Sequence, residues 1–146
     1  MPNDPYDLLR FVDAQAAVYD RVRAELRAGA KQSHWMWFIF PQLRGLGHSE
    51  MAYRFGISSI DEAVAYLKHP ILGTRLRECT DLVNAVEAKS TSDIFGYPDD
   101  LKFHSSMTLF HTADGDCAAF RLALDKYFGG AADAATLART GAPSVR

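Results

Sequence analysis

"LKFHSSMTLF", residues Leu101 to Phe110, decides between an all-helical chain and one that contains sheet. Leu101, Phe103, Met107 and Leu109 alternate with Lys102, His104, Ser106 and Thr108, as a half-buried strand requires. Phe103, Met107 and Phe110 also recur at steps of four and three, the spacing of a helix face. Pattern leaves both readings open. In either one, residues four apart share a face, so Lys102 and Ser106 point the same way. A second stretch, "HWMWFIFPQ" from His34 to Gln42, holds an unbroken apolar run from Trp35 to Phe40 that suits a buried strand or a buried helix equally. His34 and Phe38 share a face there by the same rule.

Around these two stretches the signals are helical. "DPYD" offers Asp4 as an N-cap, Pro5 at the first helical position and Asp7 in the first turn, where the helix dipole favours negative charge. Leu8, Leu9, Val12, Ala16, Tyr19, Val22 and Leu26 follow at steps of three and four, so one helix or two consecutive ones fill residues 5–28 and stop at Gly29. "SIDE", Ser59 to Glu62, reads as a capping box, and its helix ends before Pro70, which disfavours helical geometry at His69. Pro70 starts the next helix, with Ile71, Leu72, Leu76, Cys79, Leu82, Val83 and Val86 on one apolar face. Asp114 or Asp116 caps another, which buries Cys117, Phe120, Leu124, Tyr127 and Phe128 and stops at Gly129-Gly130. "ATLART" adds a short last turn, and the tail 141–146, "GAPSVR", reads as frayed.

Composition narrows the class. The 146 residues suffice for one domain with a core, and no repeat or linker marks a second. Hydrophobic residues make up 48% and charged residues 23%, ordinary globular usage. A net charge of −2, with Lys and Arg scattered, gives no basic stripe to release counterions, so nucleic acid is not an expected partner. The six-residue apolar run is far short of the roughly 20 residues that span a bilayer, and the N-terminus carries no secretory signal. The expectation is a soluble, cytoplasmic protein, monomeric or weakly self-associating. Cys79 and Cys117 form no C-x-x-C pair and read as buried reduced thiols.

"KQSHWMWFIFPQLRGLGHSEMAYRFGI", "EAVAYLKHPILGTRLREC" and "IFGYPDDLKFHSSMTLF", in this order and spacing, resemble the bacterial domain-of-unknown-function family 1810, over about Asp7 to Gly130. The resemblance implies an all-α, single compact multi-helix domain with little or no sheet, and tips both ambiguous stretches toward helix or irregular structure. It implies no activity. The single domain takes in 1–146, with its core at about 5–130.

No metal or cofactor is expected. The five histidines form no H-E-x-x-H, and His104 and His111, two helical turns apart, stand about 10 Å from each other, too far for one ion. Ser105 and Ser106 lack a G-x-S-x-G elbow and read as helix-packing serines. Gly45 and Gly47 read as a turn.

Two clusters carry chemistry. Asp99 and Asp100 follow Pro98, where capping alone explains them. The alternative is that an Asp, with Lys102 and Ser106, faces the aromatic block, the lysine holding an anion and the Asp serving as base. Phe38, Ile39 and Phe40 read as core. Trp35 and Trp37 are harder to hide, because a buried indole N–H needs a partner, and Lys31, His34 and Gln42 place donors around them. The candidate catalytic groups are Asp100, Lys102 and His34; the candidate ligand contacts are Lys31, Trp35, Trp37, Gln42 and Ser106. Three functions follow. The first is binding of a small polar or anionic metabolite in a Trp-lined pocket. The second is hydrolysis of an N-glycosidic bond in a nucleotide-like or ADP-ribose-like substrate, since "HPILGTRL" faintly resembles a helical family linked to riboflavin intermediates and ADP-ribose. The third is a non-enzymatic interaction module with "WMW" as its hot spot. The sequence commits to no reaction.

Overall fold

The computed structural model describes residues 3–140, so the tail 141–146, expected to fray, lies outside the described residues. Ten helices occur among the described residues: α1 (Leu9–Ala16), α2 (Tyr19–Ala28), α3 (Met36–Ile39), α4 (Glu50–Arg54), α5 (Ile60–Lys68), α6 (Leu72–Ala85), α7 (Thr91–Phe95), α8 (Asp99–Ala113), α9 (Ala118–Phe128) and α10 (Ala134–Thr140). The architecture is all-α. "LKFHSSMTLF" lies inside α8, the hub against which α5, α7, α9 and α10 pack, while α6 packs on α2, α5 and α9.

Burial explains why α8 imitates a strand in sequence. It is covered on nearly every side from Phe103 to Phe110, so no polar face is left to print a helical period. Ser105, Ser106 and Thr108 are buried, and of its small polar residues Ser105, Thr108 and Thr112 are bonded. Ser105 Oγ donates to Leu101 O at 3.2 Å, Thr108 Oγ1 accepts from the Asp133 amide at 2.9 Å, and Thr112 Oγ1 donates to Thr108 O at 2.8 Å. The apolar residues between them meet aromatic partners. Phe103 stands edge-on to Phe40 at 5.0 Å and stacks on Phe95 at 4.9 Å, which locks α8 to α3 and α7.

"HWMWFIFPQ" yields only the single turn α3. Pro41 ends it, and the chain straightens so that Ile57 N–H donates to Gln42 O at 3.0 Å and Arg44 N–H to Ile57 O at 2.9 Å. The result is an isolated parallel bridge, Leu43 to Ile57, and no strand forms among the described residues. Gly56 makes this crossing possible: a Cβ there would lie 2.7 Å from Arg44 Cα.

Local signals are kept in part. The first helical pattern breaks into α1 and α2, and α2 stops at Gly29, as α9 does at Gly129. The "DPYD" start is corrected: Asp7 adopts a φ of 52°, and the helix begins only at Leu9. The N-cap position is Leu8, not Asp4, although the two carboxylate oxygens of Asp4 accept from the Leu8 and Leu9 amides at 2.8 and 3.0 Å. "SIDE" forms half a capping box. Ser59 Oγ accepts from the Glu62 amide, but the Glu62 carboxylate turns to Ser58 and to Arg10, 2.9 Å away, tying α5 to α1. The reciprocal box occurs at Ser90 and Asp93. Neither Asp114 nor Asp116 caps α9, whose N-cap position is Cys117; Asp114 Oδ1 accepts from the Asp116 amide within the preceding turn. α6 begins at Leu72, which leaves Ile71 exposed, outside the expected face. Phe38, Ile39 and Phe40 are core, and Gln15, itself buried, joins α1 to α3 and α5 through Phe38 O at 2.7 Å and Tyr66 Oη at 3.1 Å.

Candidate functional site

The loop between α2 and α3 carries Lys31 to Trp35, and one carboxylate shapes it. Glu25, in the last turns of α2, accepts from the Gln32 amide at 2.8 Å, the Ser33 amide at 3.0 Å, Ser33 Oγ at 2.6 Å and Trp35 Nε1 at 2.9 Å. Partial burial pushes its carboxyl pKa up, but the bonds from Ser33, Gln32 and Trp35 together outweigh it and hold the group at about 2. Trp35 is therefore satisfied and buried, a rigid plate behind the loop.

Lys31 lies over that plate, its ammonium 5.1 Å from the Trp35 ring centre, while its backbone N–H donates to Ile94 O at 2.8 Å. The ammonium reaches Asp99 Oδ2 at 3.0 Å, and the lysine side chain is only 7% exposed. Lys102, one turn along α8, approaches the other oxygen of Asp99 at 3.6 Å and sits 5.2 Å from the Trp37 ring centre. Two ammonium groups thus share one carboxylate, so the trio carries one net positive charge. Beside it, Trp37 Nε1 is buried with no hydrogen-bond partner in the protein. Met36, Trp37, Phe40, Gln42, Phe55 and Lys102 line a narrow cleft of about 10 Å³ there.

The structure brings together Lys31, Trp37, Gln42 and Lys102 and adds Asp99. Asp100 is turned elsewhere, its Oδ1 accepting from the Leu101 amide at 2.9 Å. His34 is exposed on the loop. Ser106 is fully buried one turn beyond Lys102, its Oγ without a partner in the protein. Sequence reasoning missed Glu25, which no motif distinguishes on the polar side of α2. Asp99 carries a signal in its position three residues before Lys102, the spacing that lets two helical side chains meet.

Other singled-out residues serve the fold. His104 stacks on Phe128 at 3.9 Å and bonds Ala131 O through Nε2 at 2.8 Å. In "HPILGTRL", His69 Nδ1 accepts from the Ile71 and Leu72 amides and Arg75 reaches Gln15 Oε1 at 3.3 Å. Gly73 passes so close to α5 that a Cβ would sit 2.1 Å from Leu67 O. Burial pushes the Cys79 thiol up to about 12; Cys117 is a half-buried free thiol. Among the described residues no three His, Cys, Asp or Glu side chains converge as a metal site needs. Nor, among them, is any helix long and apolar enough to cross a membrane.

No curated protein matches the chain. Among solved structures, the crystal structure of the conserved hypothetical protein Rv1873 from Mycobacterium tuberculosis is similar at 58% identity, with a TM-score of 0.94 over 96% of this chain and 100% of that one. The family model described as "Protein of unknown function (DUF1810)" matches residues 5–140. On that match the chain belongs to the DUF1810 family.

Proposed function

We propose that this protein binds a small metabolite through a compact anionic group, such as a phosphate or carboxylate, held by Lys31, Lys102 and the Trp37 indole N–H. The observation that carries the reading is the pair of lysines sharing Asp99 beside an unpaired donor. A cation buried as deeply as Lys31 needs full compensation, and one carboxylate divided between two ammonium groups supplies half of it. A ligand anion supplies the other half and gives Trp37 Nε1 an acceptor. Gln42 offers an amide to the same group, and Met36, Phe40 and Phe55 form the apolar wall typical of such sites.

Size sets the ligand class. The cleft's volume of about 10 Å³ falls far below the roughly 300–1,000 Å³ of sites that enclose a drug-sized molecule. It takes in about one oxygen atom of a compact anion at its mouth and leaves the rest of the ligand outside. That weighs against a nucleotide-like substrate swallowed for N-glycoside hydrolysis, and the "HPILGTRL" run is occupied with capping and packing. Burial of Trp35 likewise weighs against "WMW" as a protein-binding hot spot.

The test is a titration with inorganic phosphate, sulfate and short carboxylates, followed by tryptophan emission. A saturable change is expected, with Kd at least about tenfold weaker in Lys102→Met. No saturable response to any of these anions, or an unaltered Kd in Lys102→Met, rules the reading out.

A further inference from the structure

A second cleft, formed by α8, α9 and α10, has no part in the cluster around Asp99. His111, Thr112, Arg121, Leu124, Gly130 and Leu137 line it, and its volume is about 60 Å³, against about 10 Å³ beside Trp37. From this cleft we infer a second binding site, for a short-chain hydroxycarboxylic acid.

The floor supplies the first argument. His111 Nδ1 is buried without a partner in the protein, although buried ring nitrogens in folded proteins are nearly always bonded. Neighbouring hydroxyls are committed elsewhere: Thr112 Oγ1 donates to Thr108 O and Thr108 Oγ1 accepts from the Asp133 amide. The imidazole therefore waits for a group from outside the chain. A hydroxyl suits it in either tautomer, because it both donates and accepts.

Arg121 supplies the second. Its Nε contacts Asp125 Oδ1 at 3.3 Å, with both side chains about half exposed, so the pair is screened and the guanidinium is held in place without being neutralised. The two terminal amino groups match the oxygens of a carboxylate. Leu124 and Leu137 provide apolar surface for a short carbon chain between that carboxylate and a hydroxyl at His111.

The rim is built before any ligand arrives. His104 stacks on Phe128 and bonds Ala131 O, while Asp133 Oδ2 accepts from Ser105 Oγ and from both the amide and the hydroxyl of Thr136. These bonds fix the turn from Gly129 to Asp133 over the cleft, so binding does not have to order it.

The test uses the whole protein with 3-hydroxybutyrate as probe, and butyrate and inorganic phosphate as comparisons, read by the ring-nitrogen NMR signals of His111. A saturable shift of Nδ1 is expected with 3-hydroxybutyrate. Kd should weaken at least about tenfold for butyrate and for Arg121→Ala, an exposed position whose loss leaves the fold intact. Lys102→Met should bind 3-hydroxybutyrate as the parent does, which separates this site from the one beside Trp37. An unmoved His111 signal at millimolar probe, or equal binding in Arg121→Ala, overturns the site. Butyrate or phosphate binding as tightly as 3-hydroxybutyrate overturns the ligand class.

Discussion

Trp35 Nε1 donates to Glu25 Oε1 across 2.9 Å, and through that bond the end of α2 dictates where the loop that carries Lys31 lies. The same carboxylate takes three further hydrogen bonds from Gln32 and Ser33, so Lys31 is bracketed by fixed residues on its C-terminal side and by its own bond to Ile94 O.

Glu25→Gln tests that arrangement. A glutamine keeps the length, and its one oxygen can stand where Oε1 takes the Gln32, Ser33 and Trp35 N–H groups, but those three bonds lose their charge and Ser33 Oγ loses the acceptor it has in Oε2. Hydrogen bonds to charged groups contribute about 1.5–3 kcal/mol each, and partial repacking brings the expected loss to about 2–3 kcal/mol in urea unfolding. Phosphate affinity should fall with it, because Lys31 loses its fixed position. Unchanged stability would mean that the loop is held by other contacts.

The pH dependence has a definite sign. Glu25 titrates at about 2 in the folded chain and at 4.5 without these bonds, so the folded state holds its charged form more tightly than the unfolded state does. Its contribution is complete above pH 4.5 and fades as the pH falls from there through 2. The stability gap between the parent and Glu25→Gln should therefore be constant from pH 7 to about 5 and narrow in more acid solution. A gap that widens in acid would contradict the assignment.

These two expectations rest on a residue that the sequence does not advertise. Trp37, Lys102, Lys31 and Gln42 could be picked out because donors flank an aromatic block, a pattern that survives any fold. Glu25 acts across a loop whose path depends on the carboxylate itself, and charged residues on the outer face of a helix are ordinarily solvated. The alternation in α8 leaves strand and helix undecided for a related reason: Ser105, Ser106 and Thr108 are polar yet buried, so polarity there does not report exposure. Stops at glycine and proline were legible because they depend on backbone geometry alone.

Asp99→Asn separates the electrostatic reading of the site from a purely structural one. Without the carboxylate, Lys31 and Lys102 face each other with two positive charges, one of them deeply buried, and removing one partner of such a pair is strongly destabilising. A loss of about 2–4 kcal/mol is expected at low salt. Added phosphate should then raise the melting temperature more in Asp99→Asn than in the parent, since the anion replaces the missing charge and stabilises by mass action. Equal shifts in the two proteins would separate Asp99 from anion binding.

Gly73→Ala tests the packing that explains "HPILGTRL". The new methyl group would stand 2.1 Å from Leu67 O, a backbone atom at the end of α5 that cannot swing aside as a side chain would. Relief requires α6 to move away from α5, which opens the contacts of Leu72 and Leu76, both fully buried. Arg77 would lose its 3.4 Å bond to the same carbonyl. Overpacking of a tight core costs about 1–3 kcal/mol, and the loss of neighbouring burial puts Gly73→Ala at the upper end of that range. The clean comparison is Thr74→Ala on the exposed side of the same helix turn, which should cost under about 1 kcal/mol. If thermal unfolding gives the two variants equal stability, close approach of the helices is not the reason that glycine stands at this position, and the run regains its claim to a functional reading.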